Sequence, residues 1–428
     1  MYNYVEVQTL ASQKPAERKP AGFLIWKTNM TDDFKFGLTT YRSFYQQQTT
    51  WLPFKKGGVT ALVGPNNAGK SSLLRSIYEL RPYLENYAGA LSWQAESPGK
   101  LFTPTQPIGN ILNAIPDPLD LVPAKLLQHA KIIAIDICNS EWNYQMVLSG
   151  TQLETIQQTL TCCPEITEIN AQQRLREIAI LLSQSLYIGP YRNITNQANQ
   201  GGTTYYDLPI GESFIAQWRE LKTGANRQAK NASLDTQRAI AELLGYKSLD
   251  INASHDGKTL NLVFDGDLVL SLADVGAGIA QLIFAIVTAA NRRPSIILID
   301  EPELHLHPTM QAKFVEALAR YAEHGVIFAT HSIGLARQVA TQIFTVTHDK
   351  NTGKSSISEF ENARNSAQLL GEMSYSQFSS IGGQFLLLVE GTTEVRTFRV
   401  FLRKLGIDAD VLIVPLGGSS LIGTNRDT

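Results

Sequence analysis

Cysteine is scarce: Cys138 and the adjacent pair Cys162 and Cys163 are the only three in 428 residues. An odd count without regular spacing argues against a disulfide framework, so idle thiols in a reducing compartment are expected. No apolar run approaches the roughly 20 residues that a membrane span requires. The amino-terminal stretch MYNYVEVQTL also lacks the basic-then-apolar pattern of a secretory signal. A cytoplasmic chain with no membrane partner follows as the expectation. Excess charge of one sign is missing as well, with 37 Lys and Arg against 39 Asp and Glu. That balance gives no global footprint of a nucleic-acid binder, while leaving room for a local basic groove. Internal repeats and long low-complexity tracts are absent. What remains is a globular composition, 43% apolar and 18% charged, long enough for two or three domains.

The chain punctuates itself clearly in some regions and poorly in others. ASQKPAERKPAG near the start reads as a loop or arm, and GFLIWK (Gly22–Lys27) as a strand. GVTALVG (Gly58–Gly64) reads as a strand ending in a glycine-rich turn. A helical pattern from Lys70 to Leu80 follows, with Pro82 helping to end it. Within 85–185, KIIAIDI and EWNYQMVL read as strands and INAQQRLREIAILLSQS as an amphipathic helix. Helices at about 212–222 and 235–245 precede the strands TLNLVF and LVLSL. A regular alternation then sets in: a helix at about 277–291, SIILID, a helix at about 309–323, VIFAT, a further helix, and IFTVTHD. Strand–helix alternation predicts a mostly parallel sheet covered on both faces, an α/β fold.

Two segments carry nucleotide chemistry. GPNNAGKS, from Gly64 to Ser71, fits G-x-x-x-x-G-K-[ST] without a mismatch. Glycines let successive backbone N–H groups converge on a phosphate, and the following helix adds its positive end. Gly64, Pro65, Asn66, Asn67, Ala68, Gly69, Lys70, Ser71 and Ser72 therefore form the candidate site for ATP. Lys70 would reach the β- and γ-phosphates and Ser71 would bind Mg²⁺. SIILIDEPELHLHP supplies the partner: Ile296–Ile299 form a buried strand that delivers Asp300 and Glu301 at its carboxyl end. Asp300 suits a Mg²⁺ shell, and Glu301 suits the polarisation of attacking water. His331 in FATHS stands where the next strand leaves the sheet and would sense the γ-phosphate. His305 and His307 look like a metal pair, but no third soft ligand is near, and structural roles are expected.

In this order, the Walker A segment, a long insertion, SLADVGAGIAQL, ILIDEPELHLHP and ATHS resemble the ABC-type ATPases of the RecF/SMC and OLD group. YIGPYR (Tyr187–Arg192) resembles an element of the OLD-like branch. The resemblance implies an ABC/SMC-like head over residues 1–360, with a long insertion at about 80–186, helical in part, serving dimerisation or a partner. Gly276, Ala277 and Gly278 take the place of the ABC signature loop. They would face the γ-phosphate of ATP bound by a second copy, which makes a homodimer of heads, or a higher oligomer, part of the mechanism. Ala273 and Ala280 stand where serines are common in the group, which implies slow hydrolysis. Gln94 and Gln145 are both options for the coupling glutamine.

After a linker at 361–383, residues 384–428 resemble the start of a TOPRIM module. LLLVEGTTE places Glu390 at a strand end and Glu394 in the first helical turn, both able to face one divalent ion. VLIVPLGGSS looks like the second TOPRIM strand. The later Asp-x-Asp strand is missing from the sequence, and a two-strand unit cannot cover its own apolar faces. Completion beyond Thr428, or by a partner, is therefore expected. The resemblance implies an ATP-gated nuclease acting on DNA or RNA in antiphage defence, of the retron-associated or Gabija-like kind. Retron RNA or DNA is then an optional bound regulator. Two alternatives stay open: a regulatory ATPase scaffold that holds a separate nuclease or toxin, and a RecF-like repair ATPase.

Overall fold

A computed structural model describes residues 34–87, 94–107, 131–150, 155–163, 167–190, 204–223, 227–254, 259–272, 274–360, 385–389, 392–405 and 411–415. The strand expected at Gly22–Lys27 and the linker at 361–383 lie outside them. The chain begins with β1 (Phe34–Tyr41), β2 (Phe44–Phe54), β3 (Gly58–Val63) and α1 (Lys70–Tyr87). Next come β4 (Gln94–Ser97), β5 (Lys100–Pro107), β6 (Lys131–Cys138), β7 (Trp142–Gly150) and β8 (Thr155–Cys162). α2 (Glu168–Ser183), β9 (Leu186–Ile188), β10 (Thr204–Tyr205) and β11 (Leu208–Pro209) follow. α3 (Gly211–Thr223) and α4 (Arg227–Leu244) lead to β12 (Leu249–Ala253), β13 (Leu260–Phe264) and β14 (Leu268–Ser271). The regular alternation is α5 (Ala277–Arg292), β15 (Ile296–Asp300), α6 (Pro308–Ala319), β16 (Gly325–Thr330), α7 (Ile333–Val339) and β17 (Gln342–Asp349). β18 (Lys354–Glu359) closes it, and β19 (Phe385–Val389), α8 (Thr392–Leu405) and β20 (Val411–Pro415) come last.

The fold is mixed α/β, as expected, with a parallel and an antiparallel sheet. The central sheet has the order β18-β17-β3-β16-β15-β9. All neighbours run parallel except β18, which turns back on β17. Every residue of β15 and β16 is buried, the mark of strands covered on both faces. α5, AGIAQLIFAIVTAANR, is apolar around most of its circumference and lies in the same core as β15, α4 and α6. α6 starts where the sequence says it should, with His307 as N-cap and Pro308 in the first turn.

The insertion is where expectation and structure part. The insertion was expected to be helical in part; among the described residues it is chiefly strand, and α2 is its helix. β4–β8 join β1 and β2 in a seven-stranded antiparallel sheet, order β2-β1-β6-β7-β8-β5-β4. The residues themselves favour this. In β8 the alternate positions Ile156, Gln158, Leu160 and Cys162 point inward, the period-two signal of a half-buried strand. Pro82 is a second correction, because α1 continues through it to Tyr87. Proline cannot donate to the Tyr78 carbonyl, and Arg81 Nε does so instead at 3.2 Å, which softens the usual interruption. The last unit is a strand–helix–strand with β19 parallel to β20, Phe385 paired with Val411, as the sequence predicts.

Candidate nucleotide-binding site

Three adjacent parallel strands deliver the candidate residues. β3 hands over to the loop Gly64–Gly69, β15 ends on Asp300, and β16, lying between them, hands over to His331. Parallel direction brings all three carboxyl ends to one side, where open α/β sheets place ligands. The loop itself depends on its glycines. A Cβ on Gly64 would lie 2.2 Å from the Val346 carbonyl oxygen, and Gly69 sits at φ +107° with Phe44 and Ser355 at its back. Asn67 also adopts a left-handed φ of 63°. Asn66 and Asn67 are exposed, Pro65 is half-buried and Ala68 is buried.

Lys70 is 4% exposed and folds back onto its own loop. Its Nζ donates to the carbonyls of Gly64 at 2.8 Å and Pro65 at 2.9 Å. Both ring nitrogens of His331 stand 3.3–3.4 Å away. Burial lowers the lysine pKa to about 8, against the pull of the Asp300, Glu301 and Glu303 carboxylates. Ser71 Oγ donates to Asp300 Oδ1 at 2.9 Å and Tyr187 OH to Asp300 Oδ2 at 3.3 Å. Asp300 is 1% exposed, and burial raises its pKa to about 6, with the Ser71 hydrogen bond opposing. Ser72 occupies the first turn of α1, half-buried.

Glu301 leaves the strand at φ +54°, and its Oε1 lies 3.4 Å from His331 Nε2. That left-handed turn swings the chain so that Glu303, which the sequence reading passed over, comes under the end of β16. Glu303 Oε1 accepts from Thr330 Oγ1 and from the His331 backbone N–H, each at 2.8 Å. Its Oε2 is buried without a hydrogen-bond partner. The signal was the third acid of DEPE, which spacing alone does not aim.

The remaining candidates separate. Gly276 caps α5 without a side-chain hydrogen bond and, with Ala277, is exposed. Gly278 is buried, and a Cβ there would lie 2.1 Å from the His305 carbonyl oxygen, so its smallness serves a close approach within the chain. Ala280 is buried in α5, and Ala273 lies outside the described residues. Gln145 donates to Asp136 Oδ1 at 3.1 Å in the antiparallel sheet, and Gln94 is exposed on β4. His307 Nδ1 caps α6 and His305 is exposed. Glu394 is half-buried in the first turn of α8, while Glu390 lies outside the described residues. Cys138, Cys162 and Cys163 are free thiols. Among the described residues, no cluster of three or more His, Cys, Asp or Glu could hold a metal ion, and no helix is long and apolar enough to cross a membrane.

The hard oxygens of Ser71 and Asp300, within one hydrogen bond of each other, fit the shell of a nucleotide-bound Mg²⁺, which prefers such donors. The motifs and their geometry are those of a P-loop nucleotide-binding domain. Residues 176–337 match the family described as "AAA domain, putative AbiEii toxin, Type IV TA system". The chain is 24% identical over 230 residues to the OLD nuclease of Thermus scotoductus, across 47% of this chain and 43% of that one. It is 23% identical over 427 residues to the Old nuclease of Escherichia phage P2, across 86% of this chain and 69% of the relative. An SMC head domain from Thermotoga maritima aligns with a TM-score of 0.41 at 15% identity, over 76% of this chain and 98% of that one. The chain is thus similar, over part of its length, to a family of AAA-type domains and to OLD nucleases. The chain spans less than half the length of the Thermus relative.

Proposed function

We propose that this protein is an ABC-type ATPase that binds ATP with Mg²⁺, hydrolyses it slowly, and gates a metal-dependent nuclease acting on DNA or RNA in antiphage defence. The observation that carries the reading is the convergence of Lys70, Ser71, Asp300, Glu301 and His331 at the carboxyl ends of three neighbouring strands. In this reading Lys70 exchanges the carbonyls of Gly64 and Pro65 for phosphate oxygens, a charge-assisted bond in place of a neutral one. Glu301 orients and deprotonates the attacking water, and His331, held at its backbone by Glu303, faces the γ-phosphate. A bound Mg²⁺ would neutralise phosphate charge between Ser71 and Asp300. Gly276 and Ala277, exposed at the start of α5, would complete the site of a second copy in a head dimer.

The test uses Glu301→Gln. ATP turnover is expected to fall about a hundredfold, the scale of a lost general base, while ATP binding persists and the molar mass in ATP shifts to a dimer. Wild-type turnover in this variant would overturn the assignment. The nuclease half is tested separately in the full-length protein. Glu390→Ala should abolish cutting and leave ATP binding intact; full residual cutting would move that chemistry elsewhere.

A further inference from the structure

Behind Asp300 stands a group of side chains gathered around Tyr187, the first residue of YIGPYR, and outside the glycine-rich loop and the Asp300–Glu303 turn. α1 carries Arg75, Tyr78 and Arg81 at three-residue intervals, on one helix face. The turn of the β10–β11 hairpin, Tyr206–Asp207, meets that face. Tyr206, at φ +52°, packs edge-on against Tyr187 and Tyr78 with ring centroids 5.0 and 5.7 Å away. It lies so close over Gly189 that a Cβ there would be 2.3 Å from its Cε2. Arg75 donates to the Tyr206 hydroxyl and its charge also faces the Tyr187 hydroxyl. Asp207 accepts both guanidinium branches of Arg81 at 2.9 Å and the Tyr187 backbone N–H at 2.7 Å. Tyr187 is thus fixed at its backbone and ring, and its hydroxyl is aimed at Asp300 Oδ2, 3.3 Å away.

We propose that Tyr187 is a positioning residue: by holding one carboxylate oxygen of Asp300, it keeps the other aligned with Ser71 for the divalent ion that accompanies a nucleotide. Arg75 and the 206–207 turn hold Tyr187 in that pose. This rests on the ATPase reading and adds the element that orients its metal-binding aspartate. A rotating Asp300 would still leave Lys70 and the loop amides to bind phosphate, so the Mg²⁺-dependent part of affinity is the specific readout.

The experiment measures mant-ATP affinity with Mg²⁺ and with EDTA for wild type, Tyr187→Phe and Tyr206→Phe. For Tyr187→Phe, the affinity in EDTA should stay within about twofold and the enhancement by Mg²⁺ should fall about tenfold, the scale of one hydrogen bond to a charged group. Tyr206→Phe should lose part of the enhancement in the same direction. An unchanged enhancement, or equal losses in Mg²⁺ and EDTA, would overturn the proposal. Should Tyr187→Phe fail to fold, a full enhancement in Tyr206→Phe overturns it. A wild type that binds mant-ATP under neither condition overturns the ATPase reading itself.

Discussion

The two large sheets both bury aspartates, and they treat them differently. Asp136, in the antiparallel sheet, accepts from Thr39 at 2.6 Å, Gln145 at 3.1 Å and Thr49 at 3.4 Å. Burial still raises its pKa, but all its named partners come from its own sheet. Asp300, at the end of a parallel strand, shares its site with Lys70, Glu301 and Glu303. Around it polar groups are held in provisional bonds: Lys70 to its own loop, and Glu303 with one buried oxygen unmatched. Buried polar atoms left part-satisfied cost free energy, and beside the glycine-rich loop a phosphate-bearing ligand would complete the set. An alternating sheet disperses its polar residues along one face. A parallel sheet buried on both faces has only its strand ends to put them on, which concentrates chemistry there.

The sharpest way to break this comparison is to remove a charge at the carboxyl ends of the parallel strands and another within the antiparallel sheet. Lys70→Ala should weaken ATP binding about a thousandfold, the loss of a buried charge-assisted contact. Asp136→Asn should leave ATP affinity within about twofold. Wild-type affinity in Lys70→Ala would remove the parallel sheet from nucleotide binding altogether.

Asp300→Asn sharpens the contrast with opposite signs for stability and ligand. The folded pKa of Asp300, about 6, lies above its ordinary 3.8. Its contribution to stability is therefore complete below about pH 4 and lost as pH rises through about 6. By linkage, ionising it in the fold costs up to about 3 kcal/mol above that range. The variant should match wild type near pH 4 and become more stable by up to that amount at pH 7–8, while losing the Mg²⁺ enhancement of ATP affinity. Urea unfolding at both pH values checks the first part. A stability gap that narrows with rising pH would contradict the buried-carboxylate account.

The parallel half was legible because its signals are local. Apolar runs of strand length, a glycine loop before a helical pattern and acids at a strand end each carry their own physics, and Lys70, Ser71, Asp300, Glu301 and His331 meet as their spacing implied. Glu303 was not legible, since only the left-handed turn at Glu301 brings it beneath His331. The antiparallel half was read poorly for a different reason. β5, KLFTPTQP, carries two prolines, which demote a strand in sequence terms. The fold accommodates them with a register shift between Thr103 and Gln106, beside the outer strand β4. Long-range pairing supplies what local pattern does not, and the same holds for Tyr206 and Asp207, which reach α1 from more than a hundred residues away.

The smallest expected effect belongs to the antiparallel sheet and tests whether its polar core is purely structural. Tyr144 is fully buried, and its hydroxyl donates to Gln158 Oε1 at 2.6 Å. Gln158 in turn donates its backbone N–H to Thr103 Oγ1 at 3.0 Å, so the three residues link β7, β8 and β5. Tyr144→Phe leaves the Gln158 carbonyl buried without that donor, at a cost of about 2 kcal/mol. Unfolding should shift by that amount at every pH between 5 and 8, since no group in the trio titrates there, and ATP affinity with or without Mg²⁺ should not move. A change in nucleotide affinity would mean that the two sheets are coupled. The route is already visible in Phe44 of β2 against Gly69 of the loop, and in the turn residue Arg42 bonded to Glu79 of α1 at 2.9 Å.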